Sequence, residues 1–540
     1  MNNSVMITPD SDIILLKVPF EMDNDNELTF ANATAQYNYF NSLNGLELEN
    51  ATYQRKDGVL RWAGSFDDIV GYNYCMYQNT HFSNKWFYAF IEDIKFENPN
   101  MTSIKLKTDV FQTWQFDIIY KKMFVEREHV NNDTIGLHTI PENLETGDFI
   151  CNSVEYDSYN IDTMNDINKV CYIVSSSLDL SESHPTYGSG TFSSTYGSTY
   201  SGVYSGLNYW GTRVLYGTGV KQKLLEVNFA GQIESIVGLF IAPKWVVGVF
   251  DGDTDDPMSG NVYPTTTPAE QTITINRNTS LGNSEYGTYQ PKNNKLFTGE
   301  YNYLLVNNGS GGTAKYNWED FSTKNGTFKM YGTLTPGCSI KLVPNNYKGS
   351  GLKDAYSLML GKYPELSFTG DMYVNWLTQT AVNTRWDIEL SYYTGIGQAM
   401  QGDVIGGILS PFNTIHNYMQ QSRLHQYDPP QNKGNLASGD ISYSKGFNRF
   451  QFYKMTLKPE YAKIIDDFFS AYGYRVNEYK IPNITGRTNW NYVKTSSCNI
   501  VGDIPQKDLQ ELKGIFDKGV TLWHNPSTFL DYSQSNTIVT

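Results

Sequence analysis

Few residues in this 540-residue chain have the types and spacing that catalysis requires. The seven histidines are scattered, and the sequence lacks the H-E-x-x-H, G-x-S-x-G and G-x-x-x-x-G-K-S/T patterns of zinc proteases, serine hydrolases and phosphate-binding loops. Paired carboxylates that hydrolyse sugars are defined by their separation in space, which a sequence does not give. The patterns therefore favour a protein that is not an enzyme and has no cofactor.

The candidates for metal binding are one acidic turn and the cysteines. The stretch Asp251-Gly-Asp-Thr-Asp-Asp256 alternates carboxylates as calcium loops do, but it lacks the glycine at the sixth position and the later glutamate of an EF-hand. We interpret it as a solvated acidic turn, with a bound cation as the alternative. An odd number of cysteines without a CxxC pair argues against zinc and against a disulfide framework, and favours small buried thiols. The cysteines are Cys75, Cys151, Cys171, Cys338 and Cys498.

Composition and charge narrow the class of protein. Hydrophobic residues make up 40% of the chain and charged residues only 18%, and the 40 Tyr, 28 Phe and 10 Trp favour a folded, strand-rich protein. The net charge of −15 argues against a nucleic-acid-binding protein, which would carry a basic surface. DNA could still pass along an acidic wall without sticking, because like charges repel. The first residues lack the pattern of a signal peptide, so we expect synthesis in a cytoplasm without export by that route.

The first part of the chain, residues 1–135, is predicted to be a β domain. Asn98-Pro-Asn100 is a turn signal between two predicted strands. After this turn, apolar residues alternate with Lys105, Lys107 and Asp109, which predicts one buried face and one wet face. Short apolar or alternating runs predict strands over residues 13–16, 86–96, 102–110 and 124–130.

The middle region, residues 136–370, is predicted to be β-rich, with strands and glycine turns over residues 298–367. Residues 185–210 are a tract of Tyr, Ser, Gly and Thr, which is the composition of an adaptable binding loop with exposed tyrosines. A surface loop without a partner is the alternative. Residues 237–250 are strongly apolar but are interrupted by Pro243 and Lys244, which favours two core strands over a membrane span.

The last part, residues 441–540, is predicted to be an α/β region. One helix begins at Pro459 and ends at Gly473, and a second begins at Pro505 and ends at Gly519. Each helix leads into a strand, over residues 474–481 and 520–524. The predicted apolar faces consist of Tyr461, Ile464, Ile465, Phe468, Phe469 and Tyr472 in the first helix and of Leu509, Leu512, Ile515 and Phe516 in the second.

Residues 371–440 are predicted to form two helical arms that carry an apolar, glycine-rich loop. Within residues 390–422 the only formal charge is Asp403, and the apolar run is too short for a membrane-spanning helix of about 20 residues. Two interpretations stay open: a buried connection between helices, or a tip that is hidden in one state and presented to a membrane in another. His416 and His425 flank this tip and would make its exposure pH-sensitive, unless they are ordinary solvated or core histidines. The candidate plug and membrane-active residues are Val404, Ile405, Ile408, Leu409, Phe412 and Ile415.

Several longer sequence blocks occur in a characteristic order. The chain resembles the distal tail-knob (tail tube or major tail) proteins of small short-tailed bacteriophages that infect Gram-positive bacteria, and the match is clearest at the two ends of the chain. The blocks are Asn84-Lys-Trp-Phe-Tyr-Ala-Phe90, Asp109-Val-Phe-Gln-Thr-Trp114, Phe116-Asp-Ile118, Phe124-Val-x-Arg-Glu-His-Val130, Phe468-Phe-x-x-Tyr-Gly-Tyr474, Asn491-Tyr-Val493, Gly502-Asp-Ile504 and Ile515-Phe-Asp-x-Gly-x-Thr-Leu-Trp-His524.

The resemblance implies a six-membered ring around a DNA channel, with the two ends of the chain in the tube wall. A loop in the place of residues 395–426 would plug this tube before infection and then leave it to make a pore in the host membrane. The implied partners are other copies of the chain, other tail and lower-collar proteins, viral double-stranded DNA, the host membrane and a cell-wall receptor. The implied location is the tail tip of the virion, after assembly in the host cytoplasm.

The residue patterns and the resemblance predict the same architecture. We expect a multi-domain, mainly β protein with some α (α+β) that forms a tube and carries a helical hairpin with an apolar loop. Six copies of that loop would bury one another at a ring axis, although each is too small to form a core alone. The alternatives are a receptor-binding adhesin that uses the tyrosine-rich tract and a tail-associated cell-wall hydrolase.

Overall fold

The computed structural model forms two compact units. The first unit is drawn from Met1–Glu145, Pro291–Leu296 and Glu460–Thr540, and the second from Thr146–Gln290 and Phe297–Pro459. The four-part division expected from the sequence stays a prediction, and its helical arms lie outside the described residues. The structure describes residues 11–48, 52–54, 58–79, 85–156, 170–213, 217–248, 259–307, 313–334, 338–345, 347, 365–367 and 450–539.

The described residues are mostly β, which confirms the predicted fold class. The strands in chain order are β1 Ser11–Leu16, β2 Asn26–Leu28, β3 Leu46–Glu47, β4 Thr52–Gln54, β5 Val59–Trp62, β6 Tyr74–Asn79, β7 Trp86–Asn98, β8 Met101–Thr108, β9 Ile119–Tyr120, β10 Met123–Glu128, β11 Phe149–Tyr156, β12 Val170–Ser176, β13 Ser198–Tyr200, β14 Val203–Ser205, β15 Asn208–Arg213, β16 Ile236–Pro243, β17 Ser259–Asn261, β18 Ala269–Ile275, β19 Leu281–Asn283, β20 Gly287–Tyr289, β21 Asn302–Asn307, β22 Thr313–Asn317, β23 Gly326–Leu334, β24 Cys338–Pro344, β25 Glu365–Ser367, β26 Gln451–Leu457, β27 Tyr474–Lys480, β28 Trp490–Ser496, β29 Ile500–Val501 and β30 Val520–Trp523. The helices are α1 Ala33–Asn41, α2 Phe66–Ile69, α3 Val110–Trp114, α4 Gly217–Phe229, α5 Lys244–Val247, α6 Pro459–Tyr472 and α7 Gln506–Lys518.

The first unit contains a seven-stranded antiparallel sheet in the order β3-β1-β6-β7-β8-β5-β4. The predicted hairpin is confirmed, because β7 pairs with β8 up to the pair Asn98 and Met101. The alternation predicted along β8 is wrong at its end. Asp109 is buried, not wet, because it caps α3: its carboxylate accepts the Gln112 N–H at 3.0 Å and the Tyr74 hydroxyl at 2.8 Å.

The two ends of the chain share a second sheet in the first unit. Its order is β2-β30-β28-β10-β27, and β2 runs parallel to β30. One apolar cluster joins both ends, with Phe40, Tyr74 and Phe90 from the first part of the chain and Trp490 and Trp523 from the last. The ends that carry the recognised blocks therefore fold as one body.

Helices α6 and α7 begin and end as the sequence predicts, but the predicted apolar face of α6 is partly wrong. Ile464 is 66% exposed and Tyr472 is 41% exposed, whereas Ile465 and Phe469 are buried. Asp466 takes a place in the buried face because it accepts hydrogen bonds there. Gly473 ends the helix with a positive φ of 64°, and a Cβ at this residue would lie 2.2 Å from the Glu128 carbonyl oxygen.

The second unit contains three four-stranded sheets, in the orders β11-β26-β21-β22, β16-β12-β15-β17 and β18-β23-β24-β25. Two short hairpins, β13-β14 and β19-β20, complete it. Its core includes Ile173, Trp318, Phe328 and Phe452, which are almost fully buried. Strands β21 to β25 lie within the described part of residues 298–367, as predicted, and a short 3-10 helix at Trp318–Asp320 separates β22 from β23.

Two predictions in the second unit need correction. The described part of the predicted pair of strands, residues 237–248, contains one strand and not two: β16 ends at Pro243, whose backbone leads into the short helix α5, and Gly248 follows with a φ of 77°. The tyrosine-rich tract is not one loop, because it contains β13, β14 and the start of β15. Tyr200 and Tyr209 from this tract are buried, and their rings pack edge to face at 4.7 Å.

Candidate functional site

The candidate plug and membrane-active residues of the apolar loop lie outside the described residues. The same holds for His416, His425 and the acidic turn at residues 251–256. No helix in the described part of the chain is both long and apolar enough to cross a membrane. The described part also contains no group of three or more His, Cys, Asp or Glu side chains placed to hold a metal ion. Cys75, Cys171 and Cys498 are buried free thiols and Cys151 is half-buried.

The most highly organised polar site that the structure describes is a short segment, Pro291–Leu296, held by buried carboxylates within the first unit. Its flanking residues in sequence belong to the second unit. Asp466 of α6 accepts the Lys292 N–H at 2.7 Å and the Asn293 N–H at 3.0 Å. The Asn293 side-chain amide donates to the same carboxylate at 2.9 Å and to the Ser470 hydroxyl at 2.8 Å. We call Pro291–Leu296 the anchored segment.

The next residue of the anchored segment is held by Asp133. The Asp133 carboxylate accepts the Asn294 N–H at 2.9 Å and the Tyr474 hydroxyl at 2.7 Å, and its carbonyl accepts the Asn294 amide at 2.7 Å. Burial raises the pKa of Asp133, although these hydrogen bonds oppose the rise. Burial also raises the pKa of the Tyr474 hydroxyl, and the Asp133 charge adds to that effect. The hydroxyl therefore stays protonated and donates.

Glu142 binds Lys295, the next residue of the anchored segment. Its carboxylate has no exposed side-chain surface and contacts the ammonium group of Lys295, which is equally buried, and the guanidinium of Arg127. It also accepts the Arg475 N–H at 2.9 Å. The rings of Tyr474 and Phe469 lie 5.3 and 5.8 Å from the Lys295 ammonium. Three carboxylates thus bind four consecutive residues, Lys292 to Lys295, of one segment.

A second group of buried acids lies near the start of α3. Burial and the nearby Asp109 raise the pKa of Glu27, and burial raises the pKa of Asp109 itself to about 6. A carboxyl group with a raised pKa beside a second carboxyl group is what a glycosidase needs. Both residues are only 1% exposed, however, and their oxygens are bonded to Asn24, Gln112 and Tyr74. A glycan cannot reach them, so this pair is structural.

His129 is a buried neutral histidine. The Tyr492 N–H donates to its Nδ1 at 2.7 Å, and its Nε2 contacts the Ser470 carbonyl at 3.1 Å, which requires the proton on Nε2. Burial, followed by the positive charge of Arg487, lowers the pKa of His129 from 6.5 to about 3. Protonation would place an N–H on Nδ1 against the Tyr492 N–H.

This lowered pKa predicts a loss of stability in mild acid. Below about pH 6.5 the unfolded chain binds a proton that folded His129 does not, so stability present at pH 7 falls as the pH drops from 6.5 towards 3. At pH 5 the expected loss is about 2 kcal/mol. His129→Asn keeps an acceptor but cannot titrate, so its urea midpoint should fall less between pH 7 and pH 5 than that of the unaltered chain. Equal falls in the two proteins would contradict this role, and His138→Asn, at a half-exposed histidine, is the control.

The sequence predicts a turn at the anchored segment but not the carboxylates that bind it. Pro291-Lys-Asn-Asn-Lys295 is a polar, turn-like stretch before Leu296 and Phe297, which is a signal for a turn but not for its partners. Asp133, Glu142 and Asp466 lie 161, 153 and 173 residues away in sequence from the residues of the anchored segment that they bind. Pairing at such separations cannot be read from local patterns.

Comparison with known proteins gives a consistent result along the chain. The chain matches the family described as Bacillus phage phi29, Tail knob protein gp9, C-terminal domain, over residues 267–537. It also matches the family described as Caudoviral major tail protein N-terminus over residues 10–121. The tail knob protein gp9 of Bacillus phage B103 is 25% identical over an alignment of length 601, which covers 97% of this chain and 98% of that protein. The tail knob protein gp9 of Bacillus phage phi29 is 25% identical over an alignment of length 602, which covers 95% of this chain and 96% of that protein.

The fold agrees with these sequence matches. The structure of the bacteriophage C1 tail knob protein, gp12, superposes with a TM-score of 0.66 at 16% sequence identity, over 98% of this chain and 100% of that one. The anchored segment and α6 both lie within the residues that match the tail knob C-terminal family. The chain belongs to the family of bacteriophage tail knob proteins represented by gp9 of phage phi29.

Proposed function

We propose that this chain is a structural protein of a phage virion that forms the knob at the far end of a short tail, and that it is not an enzyme. The observation that carries this proposal is the match to the tail knob family, supported by relatives aligned over nearly the whole chain. The buried acid pair Glu27 and Asp109 gives no support to the alternative of a cell-wall hydrolase, because both side chains are sealed from a glycan.

The proposed assembly is a ring of six copies around a channel for double-stranded DNA. The unit in which both ends of the chain share a sheet and a core is a suitable wall element, because its sheets and its apolar cluster are built from its own residues. The net charge of −15 suits a conduit that DNA crosses without sequence-specific binding. Further partners would be other tail and lower-collar proteins, in a particle assembled in the host cytoplasm.

The proposed plug is the apolar loop. Val404, Ile405, Ile408, Leu409, Phe412 and Ile415 supply a surface that six copies could bury together at the ring axis. When the ring opens, the same surface would enter the host membrane, because transfer of apolar area from water to lipid is favourable. The loop would thus close the channel before infection and breach the membrane during genome ejection.

Electron microscopy of the purified full-length chain tests the assembly. We expect rings with six-fold symmetry, a central channel, and density on the axis that is missing after deletion of residues 399–415. A chain that remains monomeric at micromolar concentration, or a ring without an axial opening in the deletion variant, would contradict the conduit. Retention of double-stranded DNA by the ring at physiological salt would contradict an acidic, non-binding wall.

A receptor-binding adhesin is the second candidate, and exposed tyrosines favour it. Tyr187, Tyr196 and Tyr204 of the tyrosine-rich tract are 76%, 95% and 66% exposed. Exposed tyrosines supply rigid contact area at low entropic cost, which is how many binding loops work. Binding to intact cell walls that is lost when all three are changed to serine would support this function.

A further inference from the structure

The second unit contains a polar groove that the proposed conduit does not use. Its volume is about 320 Å³, and it lies between the N-terminal half of α4, the start of β15 and the end of β17. The side chains that line it are mostly polar, with Trp210 as the large apolar member. Ligand pockets commonly range from about 300 to 1,000 Å³, so this groove suits one small ligand or one residue of a longer chain.

A buried ion pair forms one wall of the groove. Lys223 and Glu226 of α4 are 7% and 3% exposed, and the Lys223 ammonium donates to a Glu226 carboxylate oxygen at 2.8 Å and to the Glu182 carbonyl at 3.0 Å. Removing two charges from water is costly, and a buried pair is weak support for stability. A buried pair in the wall of a polar groove is instead a candidate for ligand binding.

The other hydrogen bonds of Glu226 are long, so a ligand could replace them. Its other oxygen accepts the Ser183 hydroxyl at 3.3 Å and the Gln222 amide at 3.4 Å. Both distances exceed the usual 2.7 to 3.2 Å. A ligand hydroxyl that donates to this oxygen would form a shorter bond, and would leave the exposed Ser183 and Gln222 side chains free to bond with the ligand or with water.

Asn261, another lining residue of the groove, has an acceptor without a partner in the described part of the chain. Its amide nitrogen donates to Asp179 at 3.0 Å, which fixes the orientation of the side chain. Its Oδ1 is buried and has no hydrogen-bond partner among the described residues. Leaving a buried acceptor unpaired costs about 1–3 kcal/mol, so a donor supplied by a ligand would recover this free energy.

We propose that this groove binds a neutral, hydroxyl-rich ligand, such as one sugar ring of a glycan. The lining offers one paired cation and one paired anion, so it carries no net charge with which to select a charged ligand. It offers acceptors at Asn261 and Glu226 and donors at Gln222 and Lys223, which match the donor-and-acceptor character of hydroxyl groups. The inference is independent of the ring and of the apolar loop.

Saturation-transfer NMR on the intact full-length protein tests the site. The probes are glucose and N-acetylglucosamine as neutral sugars, with glucosamine and glucose 6-phosphate as cationic and anionic counterparts. We expect transfer to the neutral sugars, and about five- to tenfold weaker binding for Asn261→Ala and for Gln222→Ala, since each loses one hydrogen bond. Tyr187→Ala, which alters an exposed side chain of the neighbouring tract, should bind as the unaltered protein does.

A second variant guards against misfolding, and a longer sugar distinguishes a glycan chain from a single free sugar. Gln222 is exposed, so its substitution should not affect folding, and it keeps the test decisive if Asn261→Ala is unstable. Tighter binding of chitotetraose than of N-acetylglucosamine would identify a glycan chain, and equal binding a single free sugar. Absence of transfer to both neutral sugars at about 10 mM, tighter binding of either charged sugar, or equal loss in Tyr187→Ala would overturn the proposal.

Discussion

Asp466→Ala is expected to destabilise the first unit by about 3 kcal/mol or more. The carboxylate is fully buried and accepts the N–H groups of Lys292 and Asn293 as well as the Asn293 side-chain amide. Each buried donor that loses its acceptor costs about 1–3 kcal/mol, because no water replaces the lost bond. Alanine is a good helix former, so the expected loss comes from the anchored segment and not from α6 itself.

The neighbouring residue provides a matched control. Asp467 lies on the same helix and contacts Lys292 through side chains at 3.6 Å, but the pair is exposed. An exposed ion pair contributes about 0–1 kcal/mol, so Asp467→Ala should be nearly neutral. Urea unfolding followed by tryptophan fluorescence measures both variants, since Trp490 and Trp523 lie in the core of this unit. Similar midpoints for the two variants would show that the anchored segment does not stabilise the unit.

Helix α6 also shows that a local sequence pattern can predict the limits of a helix without predicting which of its residues are buried. The α6 sequence predicts a helix with the correct limits, because Pro459 and Gly473 mark its ends. The same pattern places Ile464 on the buried face, whereas the structure buries Asp466 and exposes Ile464. Burial of an aspartate depends on donors from a segment 173 residues earlier in the chain, and helical periodicity contains no information about them.

The same difference between local and long-range contacts holds for other elements. The hairpin of β7 and β8 and the strands after α6 and α7 were predictable, because turn residues and alternation act over a few residues. The pairing of β2 with β30 was not, since it joins the two ends of the chain through backbone hydrogen bonds. Helix α1 is not among the elements predicted from the sequence, although it has a local signal: Asn32 caps it by accepting the Ala35 N–H at 2.9 Å.

The polar groove could not be predicted from the sequence either. The tyrosine-rich composition indicates a binding loop, but the structure buries Tyr200 and Tyr209 and brings Lys223, Glu226 and Asn261 together beside Trp210. These residues come from separate elements and share no motif. Their common property, a polar lining with an unpaired acceptor, exists only after the unit has folded.

The largest functional effect is expected from the apolar loop. Full burial of one Val, Leu, Ile or Phe side chain contributes about 1.5–3 kcal/mol, so the six candidate residues contribute roughly 10 kcal/mol per copy. Replacing all six, Val404, Ile405, Ile408, Leu409, Phe412 and Ile415, with serine should therefore abolish membrane insertion while leaving the wall of the ring intact. The matched control changes Gln401, Asn413 and Thr414 to serine in the same stretch and keeps its apolar residues.

Dye leakage from liposomes measures membrane penetration by the apolar loop. The unaltered chain, the six-serine variant, the polar control and the deletion of residues 399–415 are compared near neutral and at mildly acidic pH, after ring formation has been confirmed for each. We expect leakage by the unaltered chain and by the polar control, and none by the six-serine variant or the deletion variant. Leakage by rings that lack the apolar residues, or no leakage by any ring at either pH, would contradict a membrane-penetrating loop.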